Sequence, residues 1–143
     1  MAGTDQALAT TGTARSWTAR DAAELYGVER WGQGYFSVGP NGHVWVHPNK
    51  DPNHRIDLKK LVDTLMLRGI SLPVLIRFGD ILQHRVSEIC AAFERAIRKL
   101  GYQGTYQCAY PIKVNPQRHV VEEILRRGAR YGIGLEAGSK PEL

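Results

Sequence analysis

The apolar positions fall into short blocks whose period changes along the chain. Tyr35-Phe36-Ser37-Val38 and His43-Val44-Trp45-Val46-His47 are strand-like runs on either side of Gly39-Pro40-Asn41-Gly42. Turn residues between two such runs predict a β-hairpin, with Trp31 and Trp45 as core anchors beside it. Upstream, a short helix opens at Thr18, where Asp21 makes a variant capping box, and stops at Gly27. Residues 48–56 read as a loop. From Asp57 the spacing becomes three and four. Leu58, Leu61, Val62 and Leu65 line one face of a helix that Asp57 caps and Gly69 ends. Residues 72–78 form an apolar run of strand length. The longest helix comes next, with Asp80 as its expected N-cap, Gly101 as its end, and Leu82, Val86, Ile89, Phe93, Ala96 and Leu100 as its stripe.

Residues 105–116 are patterned differently. A strand-like run ends in Lys113, the only charged residue between Lys99 and Arg118. Period-two alternation would turn Lys113 away from Ile112 and Val114. If those two pack against a helix layer, Lys113 points into what the strand encloses and loses hydration. That disfavours the ammonium and prepares an amine nucleophile. A lone lysine at a strand end is more commonly a solvated residue; the helix and strand on its carboxyl side shift the weight. Asn115 is the expected N-cap of that helix, with Pro116 in its first turn. Its apolar face is Val120, Val121, Ile124 and Leu125; Arg126 and Arg127 occupy its last turn, and Gly128 closes it. A second strand runs over residues 133–137. The result is a βαβ unit with a lysine at the carboxyl edge of its first strand, where the chemistry of βα barrels and open α/β sheets sits. Pro111 cannot donate to a ladder, so a bend or bulge is expected there.

Composition narrows the class. With 43% hydrophobic and 23% charged residues, the 143-residue chain is of ordinary globular type. The net charge of +5 is spread over helix faces and ends, which argues against nucleic acid as a partner. The apolar runs are too short to cross a membrane, and residues 1–16 have no apolar core of a signal peptide, so a cytoplasmic protein is expected. Cys90 and Cys108 are expected to be reduced. His43, His47 and His54 have no cysteine or carboxylate at ligand spacing and read as solvated hairpin histidines, so no metal-site residue is assigned.

Tyr110-Pro111-Ile112-Lys113-Val114-Asn115, followed by Gly134-Leu135-Glu136-Ala137-Gly138-Ser139-Lys140, resembles the pyridoxal-phosphate-dependent biosynthetic arginine decarboxylases. Trp31-Gly32-Gln33-Gly34-Tyr35-Phe36 is similar to that family's amino-terminal segment, and Leu72-Pro73 with Ile81-Leu82-Gln83-His84-Arg85 to its lead-in strand and first helix. The resemblance runs from about Tyr26 to Leu143. It implies an α/β fold: the first part of a (β/α)8 TIM barrel of the alanine-racemase type after a small α+β segment with a β-hairpin. It implies Lys113 as the catalytic residue, holding pyridoxal 5'-phosphate as a Schiff base, with Glu136 and Ser139 on the cofactor side. The implied reaction takes L-arginine to agmatine and carbon dioxide in polyamine biosynthesis. Magnesium and a homo-oligomer are implied by the family alone. Another barrel decarboxylase, for diaminopimelate, ornithine or a carboxylated polyamine, stays open, as does a non-catalytic pyridoxal-phosphate carrier.

The expected division is a disordered leader over residues 1–16, a helix, hairpin and helix segment over 17–70, and the start of the cofactor barrel over 71–143. A barrel needs eight strands and about 250 residues. The chain is therefore expected to be an amino-terminal fragment, inactive alone, with the barrel incomplete.

Overall fold

The computed structural model describes residues 15–143. The leader expected over residues 1–16 lies outside them, except for Arg15 and Ser16. The fold is α/β, with a three-stranded antiparallel sheet and a two-stranded parallel sheet.

The amino-terminal part obeys its local signals closely. Helix α1 (Ala19–Leu25) begins with a complete capping box, Thr18 and Asp21 each taking the other's backbone N–H. Gly27 takes the left-handed conformation that separates α1 from α2 (Val28–Gly32). Strands β1 (Phe36–Val38) and β2 (Val44–Val46) form the expected hairpin, with Phe36 opposite Val46 and Val38 opposite Val44. A third strand, β3 (Ile56–Asp57), pairs with β2 at the end of the segment expected to be a loop. Two residues are too few to show a period, which is why the pattern did not reveal it. Asp57 then caps α3 (Leu58–Leu67) by accepting from the Lys60 amide.

Two side-chain expectations in this region fail. Trp31 is 54% exposed, tilted against Phe36 alone, with its indole N–H donating to the Tyr26 carbonyl. The innermost positions here are Val28, Tyr35 and Val46. His47 is not solvated but 8% exposed, between the Ser37 hydroxyl and the Asp51 carbonyl. His43 is paired with Asp57 at 2.9 Å. Burial opposes the Asp57 charge, but hydrogen bonds from His43 and the Lys60 amide outweigh it and hold the carboxyl at about 2.

The carboxyl-terminal part is built on α4 (Gly79–Leu100), which ends on Gly101 in the left-handed conformation. Strand β4 (Ala109–Pro111), α5 (Arg118–Gly128) and β5 (Gly134–Glu136) form the expected βαβ unit, with the strands parallel. Cys90, Val120, Ile124 and Ile133 form the buried cluster between helices and strands, and Leu82, Val86, Cys108 and Tyr110 pack on it. Both cysteines are free. The rest of the α4 stripe, at Ile89, Phe93 and Leu100, is exposed, and Phe93 stacks on Tyr106 at 3.7 Å.

Three expectations are corrected by the fold. Residues 72–78 are not a strand: among the described residues no neighbour pairs with them, and Leu72, Val74 and Leu75 are exposed. An apolar run satisfies the composition of a strand without supplying the ladder that makes one. Asp80 lies in the first turn of α4, where its charge faces the helix dipole, and Phe78 holds the cap position without a side-chain bond. Asn115 does not cap α5; it accepts from the Gln117 amide in a turn, and Gln117 precedes the helix.

A polar cluster ties the hairpin region to α4. The Tyr35 hydroxyl lies 2.7 Å from His84 Nδ1 and donates to Glu88 Oε2 at 3.3 Å. Lys50 donates to Glu88 Oε1 at 2.8 Å and sits over the Tyr35 ring; Arg85 donates to Glu88 Oε2 at 2.7 Å. The Lys50 bond lowers the Glu88 carboxyl most; burial opposes it, Arg85 and His84 add to it, and the result is about 2. A depressed folded-state value contributes stability above the ordinary carboxylate range and loses it as pH falls. Glu88 is 35% exposed, which screens the contribution to about 1 kcal/mol. Glu88→Gln should therefore lower the urea midpoint at pH 7, and the gap to the unsubstituted protein should close between pH 4.5 and pH 2. A gap that stays constant over that window would remove this cluster from the account of stability.

Candidate amine site at the ends of two parallel strands

The parallel register places Pro111 opposite Glu136. Both strands stop at that pair, β4 at Pro111 and β5 at Glu136. Proline lacks the N–H a longer ladder would need, so the expected bend at Pro111 takes the form of a strand end. The chain turns at once into a single 3-10 turn, Ile112–Val114, with Lys113 at its centre. The Tyr110 hydroxyl donates to the Asn115 carbonyl at 3.4 Å and braces that turn from behind.

This changes the basis on which Lys113 is oriented. Residues 112–114 adopt the three-residue repeat of a 3-10 helix, not the two-residue repeat of a strand. Ile112 is half-buried, Val114 is 69% exposed, and Lys113 leaves the turn on a third side. Its side chain is 64% exposed, so the expected loss of hydration is not seen in this chain. What Lys113 does have is a carboxylate: its Nζ lies 3.7 Å from Glu136 Oε2, whose side chain is 42% exposed.

The segment after β5 closes the site. Ser139 precedes a 3-10 turn over Lys140–Glu142. Its hydroxyl donates to Glu142 Oε1 at 2.8 Å, and the Gly138 amide donates to Glu142 Oε2 at the same distance. The Gly138 amide lowers the Glu142 carboxyl most, the Ser139 hydroxyl next, burial opposes them, and the charge of Lys113 adds a smaller lowering effect. Lys113 is thus paired with Glu136, and its charge reaches Glu142 more weakly. The structure brings Lys113 and Glu136 together and sets Ser139 against Glu142. Glu142 was missed at the level of sequence. Ser139-Lys140-Pro141-Glu142 has the Ser-x-x-Glu spacing of a capping box, but the Ser139 side chain takes no backbone amide and the bonds formed are different ones.

The helix between the strands is held by close packing and ion pairs. A Cβ on Gly128 would stand 2.7 Å from Ile133 Cδ1, so α5 can meet β5 this closely only through a glycine. Arg127 donates to Glu123 at 2.8 Å and to Gln83 of α4, and Arg130 donates to the Ser87 hydroxyl at 2.8 Å. Among the described residues, no group of three or more His, Cys, Asp or Glu is placed to hold a metal ion, and no helix is long and apolar enough to cross a membrane.

No family model matches the chain. It is 52% identical over 127 residues to the biosynthetic arginine decarboxylase of Rhodopirellula baltica, covering 89% of this chain and 19% of that protein. It is 51% identical over 129 residues to the corresponding enzyme of a Prochlorococcus marinus strain, covering 90% and 20%. The crystal structure of the Campylobacter jejuni biosynthetic arginine decarboxylase superposes with a TM-score of 0.72 at 34% identity, covering 82% of this chain and 19% of that one. The chain spans about a fifth of the length of the curated relatives it matches. Over nine-tenths of its own length, this chain is a homologue of the biosynthetic arginine decarboxylases.

Proposed function

We propose that the protein decarboxylates L-arginine to agmatine with pyridoxal 5'-phosphate held on Lys113, and that residues 71–143 begin the barrel of the alanine-racemase type that carries this chemistry. The observation that carries the reading is the placement of the Lys113 amine at the carboxyl end of β4, 3.7 Å from a carboxylate on the neighbouring parallel strand. Identity near one half to arginine decarboxylases over nine-tenths of the chain supports it.

The donor set fits the cofactor as far as it goes. An aldehyde needs a primary amine, and Lys113 supplies an accessible one. Pyridoxal phosphate, when bound, supplies the electron sink for the negative charge left as arginine's α-carboxylate departs as carbon dioxide. The chain's own residues bind, orient and handle protons. Lys113 Nζ must be neutral when it acts as a nucleophile. Glu136 Oε2, at 3.7 Å, favours the ammonium while the lysine is free, and after a small movement it can orient the amine and receive the proton as Lys113 attacks. Tyr110 keeps the turn beneath Lys113 in shape through the Asn115 carbonyl. Ser139 would lie on the cofactor side with Glu136. The residues described provide no cluster suited to magnesium, and no step is assigned to that ion.

The test is borohydride reduction of full-length protein with pyridoxal phosphate, then peptide mass mapping, with carbon dioxide release measured on arginine, ornithine, diaminopimelate and a carboxylated polyamine. The expected result is a pyridoxyl label on Lys113 and release from arginine above the others. A label elsewhere, or none, overturns the role of Lys113. A label on Lys113 with another substrate preferred overturns arginine alone, and a label with no release from any substrate makes the protein a carrier.

A further inference from the structure

We propose that Glu142 is a positioning residue: its carboxylate clamps the Gly138-Ser139 turn and so fixes how Glu136 and Ser139 are presented beside Lys113. The inference rests on the proposed role of Lys113 in holding the cofactor and adds a residue to that site.

The clamp is two-armed. Oε2 accepts the Gly138 amide and Oε1 accepts the Ser139 hydroxyl, both at 2.8 Å. Charge-assisted bonds of this length are about twice as strong as neutral ones. Two of them onto adjacent residues leave the turn no rotation that keeps both. Gly138 stands two residues after Glu136, the last residue of β5, so the same clamp sets the direction in which the chain leaves the strand at Glu136. Without the clamp, a glycine in this turn would allow many directions.

The bonding also decides what Ser139 can offer. A serine hydroxyl has one hydrogen and two lone pairs. In this structure the hydrogen goes to Glu142, so Ser139 meets a ligand as an acceptor only. A group bringing only acceptors, such as a phosphate dianion, would have to displace Glu142 to use Ser139 or the Gly138 amide. Glu142 therefore belongs to the support of the site and not to its contact surface. The charged groups around it are Lys113, whose charge favours the carboxylate, Glu136, whose carboxylate flanks Gly138 together with that of Glu142, and Arg118 and Glu122 of α5, which line the same groove and are paired with each other at 2.7 Å.

The test uses full-length protein carrying Glu142→Gln, with Ser139→Ala as a second variant that keeps the charge and the Gly138 bond. Glutamine keeps the shape of the side chain and can still bond both residues, its oxygen accepting from Gly138 and its N–H donating to Ser139 Oγ, so this variant removes the charge that strengthens the clamp and frees the Ser139 hydrogen. For each protein, the pyridoxal phosphate concentration giving half-maximal borohydride label on Lys113 is measured beside the thermal unfolding midpoint. The expected result is a rise of about tenfold for Glu142→Gln and a smaller rise for Ser139→Ala, with midpoints little changed. Unchanged concentration dependence in both variants, with the original protein still labelled on Lys113, overturns this inference and leaves the cofactor reading standing. No label on Lys113 in the original protein overturns the cofactor reading, and this one with it. If Glu142→Gln does not fold, Glu142→Asp takes its place, since it keeps the charge but is one methylene too short to hold both Gly138 and Ser139; a wild-type requirement from it overturns the clamp, and a raised one supports it.

Discussion

Lys113→Ala in the full-length protein is expected to cut carbon dioxide release from arginine by on the order of a thousandfold or more, with the fold intact. The two halves of this expectation have separate causes. Lys113 is 64% exposed, and its only ion pair among the described residues is the 3.7 Å contact with Glu136. Exposed pairs of that kind are worth about 0–1 kcal/mol, so stability should barely move. Its proposed chemical role, by contrast, needs a primary amine at the carboxyl end of β4, and neither alanine nor any other residue of the turn Ile112–Val114 supplies one. Lys113→Arg separates charge from nucleophilicity. Arginine keeps a cation beside Glu136, but its guanidinium stays protonated and cannot attack an aldehyde. The arginine variant should be as inactive as the alanine variant, and a small primary amine added to the alanine variant should restore part of the rate. An arginine variant with substantial activity would mean that position 113 serves as a charge and not as an amine.

Gly128→Ala should cost about 2–3 kcal/mol. The backbone angles are not the cause, since Gly128 has φ −87°, which any residue adopts. The cause is contact. A new Cβ would lie 2.7 Å from Ile133 Cδ1 and 2.9 Å from Ile133 Cβ. The Cβ of Ile133 is fixed by the backbone just before β5, and the residue belongs to the buried cluster. The helix and strand must separate, and Val120 and Ile124 lose their packing with them. The helix-propensity gain of alanine, about 1 kcal/mol, does not offset this. Gly134→Ala is the matched control: nothing lies within 4 Å of its Cβ position. Urea midpoints of the two variants should differ clearly. Equal midpoints would show that α5 and β5 have room that their geometry denies.

The elements legible in the sequence are those with local causes. Thr18 and Asp21, the Gly39–Gly42 turn, Asp57 and Gly101 act within a few residues of themselves, and each element they start or stop is present. What failed depended on partners far away in sequence. The run over residues 72–78 has the right residues and, among the described residues, no neighbouring strand. Asp80 and Asn115 are good caps by type, yet the helices begin one residue before the first and three after the second. Trp31 was assigned to a core that Val28, Tyr35 and Val46 fill instead. Asp57 meets His43 across fourteen residues, and Glu88 meets Tyr35 across fifty-three, distances no spacing rule covers.

The candidate site shows the same divide. The placement of Lys113 at the carboxyl end of a strand and of Glu136 on the next parallel strand could be read from the βαβ pattern. The orientation of Lys113 could not, because it depends on where Pro111 ends the ladder. The Ser-x-x-Glu spacing marks Glu142, but the bonds it makes, to the Gly138 amide and the Ser139 hydroxyl, are not those of a capping box and could not be read from the spacing.

The single 3-10 turn after Pro111 has a consequence for engineering. Successive side chains in such a turn are separated by about 120°, so the amine has an angular address as well as a place in the order of residues. Moving the lysine by one position, as in Lys113→Val with Val114→Lys, would keep the composition of the turn and the distance along the chain. It would swing the amine a third of a revolution, to the side where Val114 now meets solvent. A strand forgives a shift of two residues and a helix one of three or four; this turn has only one position that faces Glu136.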